Sequence, residues 1–265
     1  MSAEPPFTVV IPARYAASRL PGKPLAELAG EPLIRHVYRR ACESGAERVV
    51  VATDDERIAA ACRAFGAAVA LTRGDHATGT DRIAEVVAAE GLDDEALVVN
   101  LQGDEPLMPP ALLGLAASRL AADPGAAIAT LAVPIETAAE LLDPAAVKVV
   151  TDRRGRALYF SRAPIPWDRE RFPEPEDAAV AGGGWLRHLG LYAYRAGFLR
   201  RFPGLEPAPP EARERLEQLR ALWHGYAIQV ATAGQRPGPG VDTAADLERV
   251  AAQLGAGGLG ADAGP

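Results

Sequence analysis

Three cations, Arg14, Arg19 and Lys23, follow the apolar run TVVIPA in a stretch punctuated by Pro12, Pro21, Gly22 and Pro24. Fixed positive charge just beyond a buried strand is suited to phosphate, because ligands of open α/β sheets bind in the crevice past the strand ends. The stretch is neither a Walker loop nor a GxGxxG turn, so it relies on side-chain charge more than on a nest of backbone N–H groups. Two aspartates offer the complementary charge. Asp104 lies in LQGDEP, where a second apolar run ends, and Asp242 lies in PGVDT, after a third and before a helical pattern. A hard divalent cation such as magnesium needs few protein carboxylates when phosphates complete its shell. Phosphate-binding cations together with two separated aspartates point to phosphoryl or nucleotidyl transfer, in which positioning and charge neutralisation supply most of the acceleration. Local sequence alone reads Asp242 equally well as a helix N-cap, while solvated loop charge is the lesser alternative for the three cations.

The elements that must position these groups follow from periodicity. Apolar runs at 7–11, 48–52, 67–71 and 97–102 alternate with helical patterns starting at Pro32, spanning Asp55 to Phe65, and running from about Asp81 to Glu90. Continuous apolar strands alternating with helices predict parallel βα units buried on both faces. In the second half the candidate strands AIATLAVPI, VKVVTD, ALYFSR, LGLYAYR and YAIQVATA are unequally spaced, which predicts a mixed sheet. DRRG at 152–155 predicts a hairpin extension, and the Pro- and Gly-rich stretch 170–184 a mobile surface loop. The expected architecture is a Rossmann-like, doubly wound α/β sheet in a single domain over 1–255. Its halves are about 7–125 and 126–250, and residues 256–265 form a tail.

Bulk properties bound the function. The 265 residues are 48% hydrophobic and carry a net charge of −7, which disfavours nucleic acid as a partner and allows a small anion held by a local cluster. Cys42 and Cys62 have no metal-ligand spacing, and no signal peptide or long apolar run is visible, so a cytoplasmic protein without a membrane span is expected.

Longer motifs narrow this further. IPARYAASRLPGKPL, DHATGTDR, VNLQGDEP, ALYFSRAPIPWDR, RHLGLYAYR, LEQLR and PGVDTAADLERV resemble the 3-deoxy-manno-octulosonate (Kdo) cytidylyltransferases of lipopolysaccharide synthesis, from about residue 7 to 250. The fold that the resemblance implies is that of the nucleotide-diphospho-sugar transferases. The implied substrates are CTP and Kdo, the cofactor Mg2+, and the assembly a homodimer. Arg14 and Lys23 would bind the triphosphate with Arg19 on the same loop, and Asp104 and Asp242 would hold magnesium. Thr78 and Gly79 occupy the turn where this family reads cytosine, with Arg82 at the phosphate or sugar side. Many members carry Ser and Glu where this chain has Thr78 and Asp81. Gln102, Arg162, His188, Tyr192, Glu217 and Gln218 would surround Kdo, Arg162 meeting its carboxylate.

Taken alone, His188 and Tyr192 read as core residues, Glu217 and Gln218 as the solvent face of a helix, and His76 as either pocket lining or surface. The implied reaction is in-line attack of the anomeric hydroxyl on the α-phosphorus, assisted by magnesium and releasing pyrophosphate. The competing readings are a cytidylyltransferase for amino-Kdo or sialic acid, a non-catalytic nucleotide-binding protein on the same scaffold, and a glycosyltransferase. The last would use a short Asp-x-Asp pair that neither QGDEP nor VATDDE provides.

Overall fold

A computed structural model describes residues 5–16, 19–76 and 78–257. Of the tail expected at 256–265, residues 256 and 257 end the last helix, and 258–265 lie outside the described residues. The chain divides into two compact units, one built from 6–92, 98–114 and 237 onward, the other from 93–97 and 115–236.

The first unit begins with β1 (Phe7–Ala13), a 3-10 turn (Lys23–Leu25), the small ribbon β2 (Glu27–Leu28) and β3 (Glu31–Pro32), and α1 (Leu33–Cys42). It continues through β4 (Arg48–Thr53), α2 (Glu56–Ala64), β5 (Ala68–Leu71), α3 (Gly79–Ala89), β6 (Leu97–Asn100) and the start of α4 (Pro110–Ala121). The strand order is β6-β1-β4-β5, with β1/β4 and β4/β5 parallel. The unbroken apolar runs are explained by burial, since Val9, Val10, Ile11, Val51, Val98 and Val99 are fully enclosed. Asp55 caps α2, and Thr78 caps α3 in a reciprocal box with Asp81. Thr78 and Asp81 keep the hydroxyl and carboxylate that a Ser/Glu box uses.

The second unit contains β7 (Ala126–Pro134), α5 (Ala138–Leu142), β8 (Lys148–Thr151), β9 (Ala157–Ser161), α6 (Asp177–Ala181) and β10 (Leu186–Arg195). These are followed by α7 (Ala196–Arg201), α8 (Pro209–Glu214), α9 (Gln218–Trp223) and β11 (Ala227–Thr232). Its sheet is mixed: β10 is antiparallel to β7 and β8, whereas β11 is parallel to β7. The predicted hairpin is the β8/β9 pair, whose turn places Gly155 at φ 77 while Asp152 accepts the amides of Arg154 and Arg156.

The stretch 170–184 is mostly exposed, as its Pro and Gly content predicts for a surface loop, but it is also anchored. It contains α6, and Phe172 and Val180 are buried with Ile135, Leu141 and Trp185. Trp167 stacks on Phe172 at 4.5 Å, and the Trp185 indole donates to the Pro166 carbonyl. Burial of large aromatic surface outweighs the local punctuation.

The closing helix α10 (Ala244–Gly257) belongs to the first unit. Val241 and Val250 share a core with Leu28 and Leu33, and the Val241 amide donates to the Asp104 carbonyl at 2.9 Å. That backbone bond brings the two predicted metal-binding aspartates together despite their separation in sequence.

Candidate active site

The loop after β1 is closed by its own backbone. The Gly22 amide donates to the Tyr15 carbonyl at 3.0 Å, and Gly22 sits at φ 70 with the Tyr15 ring 3.1 Å from where a Cβ would be. The Arg57 guanidinium lies over the other part of this anchor, 3.4 Å from the Tyr15 ring centroid. Opposite the loop, Gly103 lets the end of β6 lie against β1, since a Cβ there would stand 2.9 Å from the Pro12 carbonyl oxygen. Between them is a cavity of about 330 Å³. Arg14, Arg19 and Lys23 line it from the loop, and Gln102, Asp104 and Asp242 from the facing strand end and turn. Thr78, Gly79 and Arg82 line it from the start of α3, so the structure brings the nine predicted residues of this unit to one cavity.

Inside the cavity the two aspartates are paired with cations. The Lys23 ammonium is 2.6 Å from Asp104 and 3.2 Å from Asp242, and Arg19 reaches the second oxygen of Asp242 at 3.0 Å. Arg14 is exposed and has no ion-pair partner among the described residues. The two readings of Asp242 are separated by its neighbours. Thr243 and Asp246 cap α10 reciprocally, Thr243 accepting the Asp246 amide and Asp246 accepting the amides of Asp242 and Thr243. The Asp242 carboxylate is therefore turned into the cavity and is not the cap.

No cluster of three or more His, Cys, Asp or Glu is present among the described residues. The donor set nevertheless fits magnesium, because two carboxylates converge on one cation in an open, phosphate-sized site, and this ion takes most of its ligands from substrate and water.

At the other end, Arg82 is 95% buried at its side chain and committed to the protein. It pairs with Asp54 at 3.1 Å and donates a short hydrogen bond to Thr72. It fixes the segment before α3 more than it offers a free charge to a ligand. His76, read from sequence as lining or surface, lines the cavity and is hydrogen-bonded through Nε2 to Glu85.

The other five predicted residues lie in the second unit. His188 and Tyr192 are neighbours across a bulge in the β10/β7 pairing, their rings 5.3 Å apart. The Thr130 hydroxyl fills that bulge, bonding to the carbonyls of Leu189 and Leu191 and to His188 Nε2. Burial lowers His188 to about 3, so its imidazole is neutral, and burial raises the Tyr192 phenol far above its usual range. Arg162 is held at the end of β9, its Nε donating to the Glu214 carbonyl and one terminal nitrogen to the Pro144 carbonyl. The second terminal nitrogen has no partner among the described residues.

Glu217 precedes α9 and contributes to the raised Tyr192 value. Gln218 is not on the solvent face: it is 6% exposed, and its Nε2 is buried without a hydrogen-bond partner. A buried orphan donor is costly unless something accepts from it.

Sequence reasoning missed Lys148 and Glu214. Lys148 is completely enclosed and donates to the Asp143 carbonyl, and burial, aided by nearby Arg162, pushes its ammonium below the ordinary lysine range. The Glu214 carboxylate accepts from the Ser161 hydroxyl and the Arg162 amide. A charged residue inside the apolar VKVV run was the available signal for Lys148, and Glu214 had none.

A cytidylyltransferase family model matches residues 8–228. The chain is 74% identical over 250 residues to the 3-deoxy-manno-octulosonate cytidylyltransferase of Halorhodospira halophila, covering 94% of this chain and 97% of that protein. It is 63% identical to the enzyme of the same name from Alkalilimnicola ehrlichii, covering 92% and 95%. A solved structure of CMP:2-keto-3-deoxy-manno-octonic acid synthetase complexed with CTP superposes with TM-score 0.86 at 42% identity, covering 96% of this chain and all of that one.

Proposed function

The chain belongs to the cytidylyltransferase family, and from that membership we propose how its residues divide the work of moving CMP from CTP to Kdo. The overall reaction gives CMP-Kdo and pyrophosphate. The observation that carries the assignment of roles is the convergence of Asp104 and Asp242 on Lys23 in a cavity otherwise lined by cations.

Arg14 and Lys23 bind the triphosphate and neutralise the leaving pyrophosphate, with Arg19 assisting from the same loop. Asp104 and Asp242 are the residues to hold Mg2+, which when bound supplies positive charge against the phosphates. The anomeric hydroxyl of Kdo attacks the α-phosphorus, the new O–P bond forms as the bond to the β-phosphate oxygen breaks, and the hydroxyl proton passes to solvent. No covalent enzyme intermediate is required.

Arg162, His188, Tyr192, Glu217 and Gln218 bind the sugar acid. The free terminal nitrogen of Arg162 supports its pairing with the carboxylate. The orphan amide of Gln218 and the neutral His188 suit hydroxyl groups.

The product feeds lipopolysaccharide synthesis in the cytoplasm, and the active form is a homodimer. No helix among the described residues is long and apolar enough to cross a membrane. Exposed Leu158 and Tyr159 on the hairpin, with Trp167 beyond it, support a subunit interface there.

Pyrophosphate release with CTP and magnesium, measured across Kdo, amino-Kdo and sialic acid, tests the substrate assignment. Kdo should give the highest kcat/KM. Preference for another acid would reassign the sugar, and silence with all three would leave a nucleotide-binding protein.

A further inference from the structure

His76 lines the cavity and takes no part in the roles proposed so far. Before α3, Thr72, Arg73, His76 and Thr78 are each held by hydrogen bonds. The Thr72 amide donates to the Thr53 carbonyl at 2.9 Å, Arg82 ties Thr72 to Asp54, and Thr78 closes the helix cap. Glu85 of α3 accepts both the Arg73 amide at 3.1 Å and His76 Nε2. Burial opposes the charge on Glu85, but the bond from His76 and that from the Arg73 amide outweigh it and hold the carboxylate below its usual range. The His76 side chain is 93% buried and borders the cavity, and Nδ1 has no hydrogen-bond partner among the described residues.

The tautomer follows from the partner. An ionised carboxylate can only accept, so Nε2 must carry a proton. In the neutral ring Nδ1 is then an acceptor with a free lone pair. Arg14, Arg19, Lys23, Asp104 and Asp242 are the groups assigned to the triphosphate and its metal, which leaves His76, Thr78 and Gly79 of the same cavity for the nucleoside. Cytosine and uracil differ where the first carries an exocyclic amino donor and the second a carbonyl acceptor. An acceptor fixed in a buried position favours the former and repels the latter.

We propose that His76, held in one tautomer by Glu85, is a specificity-determining residue that selects cytosine over uracil. The proposal rests on the cytidylyltransferase reading of this cavity and adds to it the group that discriminates. Thr78 and Gly79 shape the turn, and the imidazole supplies the polarity.

The test is calorimetric binding of CTP and of UTP, without sugar, at about pH 8. It compares the wild type with His76→Phe, His76→Gln and Glu85→Gln. The wild type should prefer CTP, and His76→Phe should lower the CTP/UTP affinity ratio by roughly 10-fold or more, mainly through weaker CTP binding. Glu85→Gln should lower the ratio by less, because an amide no longer dictates the tautomer, and His76→Gln should keep part of it. A purely structural role would weaken both nucleotides alike and leave the ratio unchanged, and that result in any folded His76 variant would overturn the proposal. So would a wild type that does not distinguish the two bases. Because no sugar is present, a wild type that prefers CTP but makes no CMP-Kdo would overturn the substrate assignment and leave this proposal standing.

Discussion

The Lys23 ammonium rests 2.6 Å from Asp104 Oδ2, so the side chain assigned to the triphosphate is paired with the carboxylate assigned to the metal. The same nitrogen reaches Asp242 at 3.2 Å. Lys23 thus joins the two carboxylates, and these partly exposed groups are spared the cost of facing one another alone. In the proposed roles, a magnesium–triphosphate complex would exchange both partners, Lys23 pairing with phosphate and the aspartates holding the metal.

This exchange has a direction that can be measured. Removing the ammonium in Lys23→Met should tighten Mn2+ or Mg2+ binding to the nucleotide-free protein several-fold, because the internal competitor is gone, while CTP binding weakens roughly 10-fold. Metal titration followed by calorimetry checks both. Weaker metal binding in this variant would show that Lys23 supports the carboxylates instead of competing for them.

Arg162 presents one unpaired terminal nitrogen while Nε and the other terminal nitrogen hold carbonyls. Arg162→Ala should raise the KM for the sugar acid by about 10-fold or more with little change in that for CTP. Arg162→Lys keeps the charge but loses the fork, and should recover only part of the loss. Steady-state kinetics with each substrate varied separately decides the point, and equal effects on both KM values would count against a carboxylate contact.

His188 gives the fold a pH dependence. Its folded value of about 3 lies below the ordinary imidazole value, so the unfolded chain takes up a proton that the folded chain refuses. The associated stability is complete at neutral pH and is lost as pH falls from about 6.5 towards 3, amounting to something on the order of 2 kcal/mol at pH 5. Urea midpoints measured between pH 7 and pH 5 should fall more steeply for the wild type than for His188→Gln. Parallel slopes would mean that the imidazole is not held neutral.

Lys148 is fully enclosed, and burial lowers its value below the ordinary lysine range, so its charge opposes folding at neutral pH. Lys148→Met, similar in volume, should leave stability unchanged or raise the thermal midpoint by a few degrees. It should also disturb sugar binding, through Arg162 and Glu214 beside it. A large fall in midpoint would show that the bond to the Asp143 carbonyl outweighs the cost of burial.

Much of the first unit was legible in sequence because its strands are uninterrupted apolar runs and its loops sit directly after them, as with Arg14 after β1 and Asp104 after β6. Asp242 was ambiguous because both Asp and Thr cap helices, and only the position of Asp246 on the first turn of α10 showed that Thr243 takes the cap. Arg82 lines the cavity, and sequence does not show that Asp54 and Thr72 also approach it. Gln218 was placed on a solvent face by helical spacing, whereas α9 is short and buries that position. The Pro and Gly residues of 170–184 marked its surface position, but the aromatic rings that anchor it at Phe172 were not counted. Contacts among residues far apart in sequence decided each of these.

The central claim is that Asp104 and Asp242 make a cation-lined cavity into a transfer site. The most direct measurement is formation of CMP-Kdo from CTP, Kdo and magnesium, followed by phosphorus NMR, for the wild type, Asp104→Asn and Asp242→Asn. The account predicts CMP-Kdo and pyrophosphate in equal amounts from the wild type, and a loss on the order of 10³-fold in each folded variant. Near-normal turnover in either variant at saturating magnesium would contradict it.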